Sequence, residues 1–190
     1  MLAGSLRERG IDPLITFEPG GTPLGRRLRD AFLETEETVA PMAELLLFAA
    51  DRAQHVDFLI KPALAEGRVV ISDRYSDATF AYQGAGRGFD AKTVNQAIKL
   101  ATGGLKPDLT LFFDIPIATA LARMNARGES GERSNRMDFE TVDFYERVRA
   151  AYLGIATRES KRFRVLDASG SVEDVQRHVL AIVTASLKID

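Results

Sequence analysis

The stretch VVISDRYSDATFAYQG, Val69 to Gly84, constrains the chain more than any other. Its β-branched opening, Val69 to Ile71, is a short apolar run of the kind expected for a strand covered on both faces in a parallel sheet. Asp73 and Arg74 then fall at the strand's carboxyl end, the edge of an open α/β sheet where ligands bind. A carboxylate there can hold Mg²⁺ or its water shell, and a guanidinium fork can grip phosphate oxygens. Taken alone, the pair reads equally as an ordinary surface ion pair.

Three further segments supply matching chemistry. In FEPGGTPLGRRLR, Phe17 to Arg29, a strand ending in apolar residues meets the turn Glu18-Pro19-Gly20-Gly21, and Thr22-Pro23 caps and opens a helix that carries Arg29. In Pro41 to Gly67 apolar residues recur at helical spacing, and Leu45, Leu46, Phe48, Ala49, Ala53 and Val56 are expected to cover a broad face. Arg52 follows Phe48 by one turn, so a ring and a guanidinium can share one cavity, as a nucleobase site requires. A core phenylalanine beside a salt-bridged arginine fits the same spacing. Pro62 should kink or restart this helix. The third segment, Arg123 to Glu140, is rich in arginine, glycine and serine, and reads either as a lid at about 127–138 that closes over phosphates or as a solvated loop.

Together these segments resemble bacterial thymidylate kinases. The likeness is carried by EPGGT at Glu18 to Thr22, LLLFAADRAQHV at Leu45 to Val56, DRYSDATFAYQGAGRG at Asp73 to Gly88 and RMDFE at Arg136 to Glu140; KPDLTLFFDIP and FYERVRAAY extend it over essentially the whole chain. The resemblance implies transfer of the γ-phosphoryl group of Mg-ATP to dTMP. It implies Phe48 stacked on thymine, Arg52 at the carbonyl edge, Thr79 and Gln83 on the polar rim, and Tyr82 against the deoxyribose. Arg29 and Arg74 would hold the acceptor phosphate, Asp73 and Glu18 would organise the metal, and Arg133 and Arg136 would come from the lid to the transferring group. Asp167, Ala168 and Ser169 would line the adenine pocket, although a plain capped turn explains them as well. A homodimer through the helix containing Leu45 to Ala53 is also implied, and burial inside one subunit explains that helix equally. Phe17 and Ala78 depart from the pattern, where relatives carry Arg and Ser.

The fold class expected is α/β, a three-layer, P-loop-kinase-like domain over residues 1–190 with a parallel sheet. Strands are expected at Leu14 to Phe17, Arg68 to Ser72, Leu109 to Asp114 and Arg164 to Asp167, joined by right-handed helical crossovers. The sequence holds no G-x-x-x-x-G-K-[ST] phosphate loop. The near match Gly86 to Thr93 has Ala91 in place of the second glycine and follows a helix pattern rather than a strand. Met1 to Gly10 reads as the latter part of a helix stopped by Gly10, so the expectation is that the first, central strand and its phosphate loop are missing, leaving a chain of impaired activity. The alternative is a non-catalytic deoxynucleotide-binding relative.

Composition narrows the surroundings. A net charge of −2 gives no long-range attraction to nucleic acid or anionic membrane, and the absence of cysteine excludes disulfides and thiolate metal sites. No apolar run is long enough to span a bilayer, so the expected setting is cytoplasmic. His55 and His178 are expected to be surface or packing residues.

Overall fold

The computed structural model describes residues 1–129 and 135–189. Among the described residues four short strands alternate with helices. Strand β1 (Leu14–Phe17) runs parallel to β2 (Val70–Asp73) in the register Leu14↔Val70 to Phe17↔Asp73. Strand β3 (Thr110–Asp114) runs parallel to β4 (Phe163–Asp167), from Thr110↔Phe163 to Asp114↔Asp167. A parallel ladder needs neighbouring backbones about 4.8 Å apart, and among the described residues none joins the two pairs. The single sheet expected from the sequence is therefore two parallel pairs.

The crossovers are helical. Between β1 and β2 lie α2 (Pro23–Leu33), α3 (Pro41–His55) and α4 (Lys61–Ala65); α3 and α4 are joined through a wide π turn, Val56–Ile60. Pro62 lacks an N–H to give to a helix interior, and the helix restarts directly ahead of it after that turn. Between β2 and β3 come α5 (Ser76–Thr79), a second π turn (Phe80–Gly86) and α6 (Ala91–Thr102). Helices α7 (Ile117–Glu129) and α8 (Val142–Arg158) join β3 to β4, with a 3₁₀ turn at Arg136–Phe139, and α9 (Val172–Leu187) follows β4. The amino-terminal α1 (Leu2–Arg7) ends ahead of Gly10, whose φ of +78° takes the chain out of the helix.

Local chemistry explains the helix starts. Thr22 accepts from Gly25 N with Pro23 in the first turn, and Asp90, Thr141 and Ser171 cap α6, α8 and α9 in the same way. Among the described residues two hydrophobic cores hold the elements together. One gathers Phe32, Leu33, Ala81, Met137, Phe144 and Val148, with Phe48 and Tyr82 packed on it. The other joins Leu6, Leu166, Val179 and Val183, tying α1 and α9 to β4. On α3, Leu45 is buried but Leu46 is 57% exposed, so the apolar face is narrower than expected.

Candidate active site

The β1–β2 register aligns the two motifs at their carboxyl ends. Phe17 sits opposite Asp73, and the N–H of Glu18 donates to the carbonyl of Asp73 at 2.9 Å. Glu18 is nevertheless buried, and both of its oxygens are engaged. Arg52 Nε donates to Oε2 at 2.7 Å, while His55 Nδ1 lies 2.8 Å from Oε1. His55 Nε2 is 2.6 Å from the Thr16 hydroxyl. Arg52 also donates to the Thr79 hydroxyl at 2.7 Å and to the Tyr75 carbonyl at 3.1 Å. Buried charges are tolerated only when paired and hydrogen-bonded in this fashion. Burial first, and the Glu18 charge second, push the Tyr75 phenol up to about 12. Glu18 thus serves as the clamp on Arg52, and each of its oxygens already takes one buried hydrogen bond, whereas its expected share was in metal binding. His55, expected at the surface or in packing, lies at the centre of this network; His178 is exposed.

The same helix fixes the glycine turn. Asp51, buried one position before Arg52, accepts from Gly20 N at 3.0 Å, and burial pushes its carboxyl above the usual range. A Cβ on Gly21 would lie 2.7 Å from His55 Nε2 and from Thr16 Oγ1, so only glycine lets the turn close over the network.

Glu18, Phe48, Arg52, Arg74, Ala78, Thr79, Tyr82 and Gln83 line one narrow cavity of ≈ 20 Å³ that opens to solvent. The structure therefore gathers most of the expected acceptor-site residues from three separate segments. Phe48 is set edge-on against Phe32, 4.8 Å between ring centres. Arg74 adopts φ +70°, a left-handed conformation rare for a side chain of this size, and its guanidinium lies 4.8 Å over the Tyr82 ring. Of the other expected residues, Asp73 is exposed and Arg29 donates to the Pro19 carbonyl at 3.2 Å, and neither is among the residues that line the cavity. A larger hollow of ≈ 420 Å³ opens at the amino-terminal ends of β1 and β2, around Ile11, Asp12, Arg68 and Ile189. It lacks converging polar groups beyond the Asp12–Arg68 pair, so size alone does not make it the site.

Behind Gln83 lies a second buried cluster. Glu44, with no exposed surface, accepts from Gln83 Nε2 at 2.8 Å, from Arg87 at 2.9 and 3.1 Å and from Arg136 Nη2 at 2.5 Å. Burial alone would raise its pKa, but the hydrogen bonds from Arg87, Gln83 and Arg136 outweigh it and hold the carboxyl below its usual range. Arg136 also donates to the Phe32 carbonyl at 2.6 Å. Expected to reach the transferring phosphoryl group, Arg136 is instead anchored on Glu44, because the capped turn at Asn135 and buried Met137 dock this end of the arginine-rich stretch on the core. Arg133, with the part of the expected lid at 130–134, lies outside the described residues.

Glu44, Asp51 and Arg87 had no role expected from the sequence, and His55 only one at the surface or in packing. One signal was present: Glu44, Asp51, Arg52 and His55 recur at helical spacing, a polar stripe beside Phe48 on one side of an otherwise apolar helix. The carboxyl edge of β3–β4 is simpler. Asp167 accepts from the N–H and hydroxyl of Ser169, an exposed local turn, and Arg123 approaches the Ala168 carbonyl at 3.4 Å. Asp114 is held by both nitrogens of an Arg149 fork, at 2.6 and 2.7 Å. Gly86 to Thr93 joins the π turn to α6 with no strand before it, and a Cβ on Gly86 would meet the Phe144 ring at 2.6 Å, a packing role.

Among the described residues no group of three or more histidines and carboxylates could hold a metal ion. Exposed Asp73 suits the water-mediated binding that Mg²⁺ favours, while Glu18 is buried and paired with Arg52 and His55. Among the same residues no helix is long and apolar enough to cross a membrane.

The family model for thymidylate kinase matches residues 1–179. A thymidylate kinase of Pseudomonas putida (strain GB-1) is 48% identical over 183 residues, 96% of this chain and 85% of the relative. One from Desulfovibrio desulfuricans is 46% identical, with 98% and 88% covered. The crystal structure of thymidylate kinase from Ehrlichia chaffeensis superposes with a TM-score of 0.76 at 30% identity, covering 96% of this chain and 88% of that one.

Proposed function

Because the chain belongs to the thymidylate kinase family, whose members are nucleoside monophosphate kinases, we propose that its cavity binds dTMP as acceptor of the γ-phosphoryl group of Mg-ATP, giving dTDP and ADP. The observation that carries this reading is the buried Glu18–Arg52–Thr79 chain, which aims a held guanidinium into a cavity flanked by Phe48, Arg74 and Tyr82. A ring beside a fixed cation suits a planar base with a carbonyl edge. In this reading Phe48 stacks on thymine and Arg52 donates to a ring carbonyl. Tyr82 lies against the deoxyribose, and Arg74 with Arg29 holds the acceptor phosphate. An acceptor phosphate oxygen attacks the γ-phosphorus as the bond to the ADP oxygen breaks, and positioning with charge neutralisation supplies most of the acceleration. Mg²⁺, when bound, neutralises donor phosphate charge, and Asp73 is the residue to hold its water shell. Arg133 is proposed to meet the transferring group, and Asp167, Ala168 and Ser169 to lie by adenine.

The second reading, a deoxynucleotide-binding chain of low catalytic power, is favoured by one observation: the acceptor cavity is held by buried bonds while the sequence has no G-x-x-x-x-G-K-[ST] loop. A homodimer through α3 is supported by exposed Met42 and Leu46; a monodisperse monomer in small-angle scattering removes it.

Calorimetric titration of the 190-residue chain with dTMP, dCMP and dGMP tests the acceptor site. Tightest binding is expected for dTMP, and a preference for either other nucleotide overturns the thymine reading. ADP release from ATP with dTMP separates kinase from binding relative: steady turnover at rates ordinary for kinases, about 1–100 s⁻¹, excludes the second reading.

A further inference from the structure

The network behind Gln83 bears on which base the cavity takes, an inference that rests on the acceptor-site reading above. A glutamine amide presents a carbonyl acceptor on one side and an NH₂ donor on the other, and the two orientations fill nearly the same space. Packing alone therefore cannot choose between them. The hydrogen-bond network can. Glu44 is fully buried and ringed by Arg87 and Arg136. An ionised carboxylate only accepts, so the amide nitrogen of Gln83 must face Glu44, as it does at 2.8 Å. The opposite end of the amide is the carbonyl oxygen. Gln83 is 2% exposed and lines the cavity beside Arg52 and Thr79. Its side-chain oxygen has no protein hydrogen-bond partner among the described residues, and it is not among the sealed, unsatisfied polar atoms. It is an acceptor left open to a ligand.

Arg52 supplies the complementary half. Three of its five N–H groups are spent on Glu18, Thr79 and Tyr75. The cavity therefore pairs a fixed donor with a fixed acceptor. A thymine or uracil edge, with its ring N–H next to a carbonyl, matches that pattern. A cytosine edge, with a bare ring nitrogen next to an amino group, opposes it at both positions.

We propose that Glu44 is a positioning residue for base selection: by binding the Gln83 amide nitrogen it turns the Gln83 oxygen to the cavity, so the pocket reads a ring N–H beside a carbonyl and rejects cytosine. Glu44 touches no ligand in this scheme and acts only through Gln83. Arg87 and Arg136 keep it an acceptor, and Glu140 bridges to Arg87 at 2.5 Å from the chain beyond the 3₁₀ turn. The arginine expected on the lid thereby contributes to base choice.

The test is titration of the intact chain, its Glu44→Gln variant and its Gln83→Met variant with dTMP, dUMP and dCMP, each variant checked for a cooperative melt. In Glu44→Gln the new amide can donate to Gln83 and release it to turn over. The affinity ratio of dTMP to dCMP is expected to fall by about tenfold or more, the cost of one unmade buried hydrogen bond, and dUMP, which shares the thymine edge, should move with dTMP. Equal weakening for all three nucleotides marks a merely structural role and overturns the proposal, as does an unchanged ratio. If Glu44→Gln does not fold, Gln83→Met decides, since it removes the oxygen without touching the carboxylate cluster; a ratio there equal to that of the unaltered chain overturns the proposal. Failure of the functional reading itself shows differently, as absent dTMP selectivity in the unaltered chain.

Discussion

The carboxyl ends of the two strand pairs are built on opposite principles. At β1–β2, Glu18, Glu44, Asp51, Arg52 and His55 are all buried, and partners far apart in sequence satisfy their charges. At β3–β4, Asp167 turns to Ser169 two residues on, in solvent, and the Asp114–Arg149 pair is partly exposed. In the interior a polar group without its partner is costly, whereas water supplies a substitute at the surface. The first edge is thus held in one geometry by buried partners, and the second by bonds that water can replace.

Removing the guanidinium at the centre of the first edge should have the largest effect. Arg52→Met leaves Glu18 buried with only His55, and is expected to cost about 3–5 kcal/mol in urea unfolding together with dTMP binding. A loss no greater than that of an exposed pair would break the contrast. Next comes a matched pair of glycine substitutions. Gly21→Ala places its methyl against His55 and Thr16 and should cost about 1–3 kcal/mol. Gly170→Ala, whose nearest neighbour would be the Asp174 Cβ at 3.9 Å, should stay within about 0.5 kcal/mol. Equal melting shifts for the two would show that the first edge is not tightly packed.

The smallest effect is a matter of sign. Asp51 binds its proton more tightly when folded than the ordinary 3.8, so its burial favours folding at low pH, and that advantage declines as pH rises above about 3.8. Glu44 runs the other way: its folded pKa is depressed, and the stability it brings above 4.5 is lost as pH falls. Replacing Asp51 by Asn should therefore make stability rise relative to the unaltered chain as pH increases through that window, followed by denaturant midpoints from pH 3 to 7. The reverse slope would mean that Asp51 is held as a charge, like Glu44.

The elements were legible because their signals are local. The apolar runs ending at Phe17, Asp73, Asp114 and Asp167, the Thr22-Pro23 and Asp90 helix starts and the Gly10 stop each depend on a few neighbouring residues. Phe48 and Arg52, one turn apart, could be assigned to one cavity for the same reason. Glu18 as a clamp and Arg136 as an anchor were not legible, since each is defined by a partner at least thirty positions away. The helix stripe from Glu44 to His55 marked the side that turns inward, but not which charge meets which.

What the sequence determined by itself is the alternation of strand and helix, the family, and the set of side chains delivered to the carboxyl ends of β1 and β2. Periodicity, caps and turns act over a few residues and survive in any environment. The tertiary structure decided how those charges are spent: Glu18 on Arg52 and His55, Glu44 on Gln83, Arg87 and Arg136, Asp51 on the glycine turn. A carboxylate at the surface can bind metal, phosphate-gripping arginine or water alike; once buried it must take whichever donor the packing brings within about 3 Å, and only the folded chain specifies that donor.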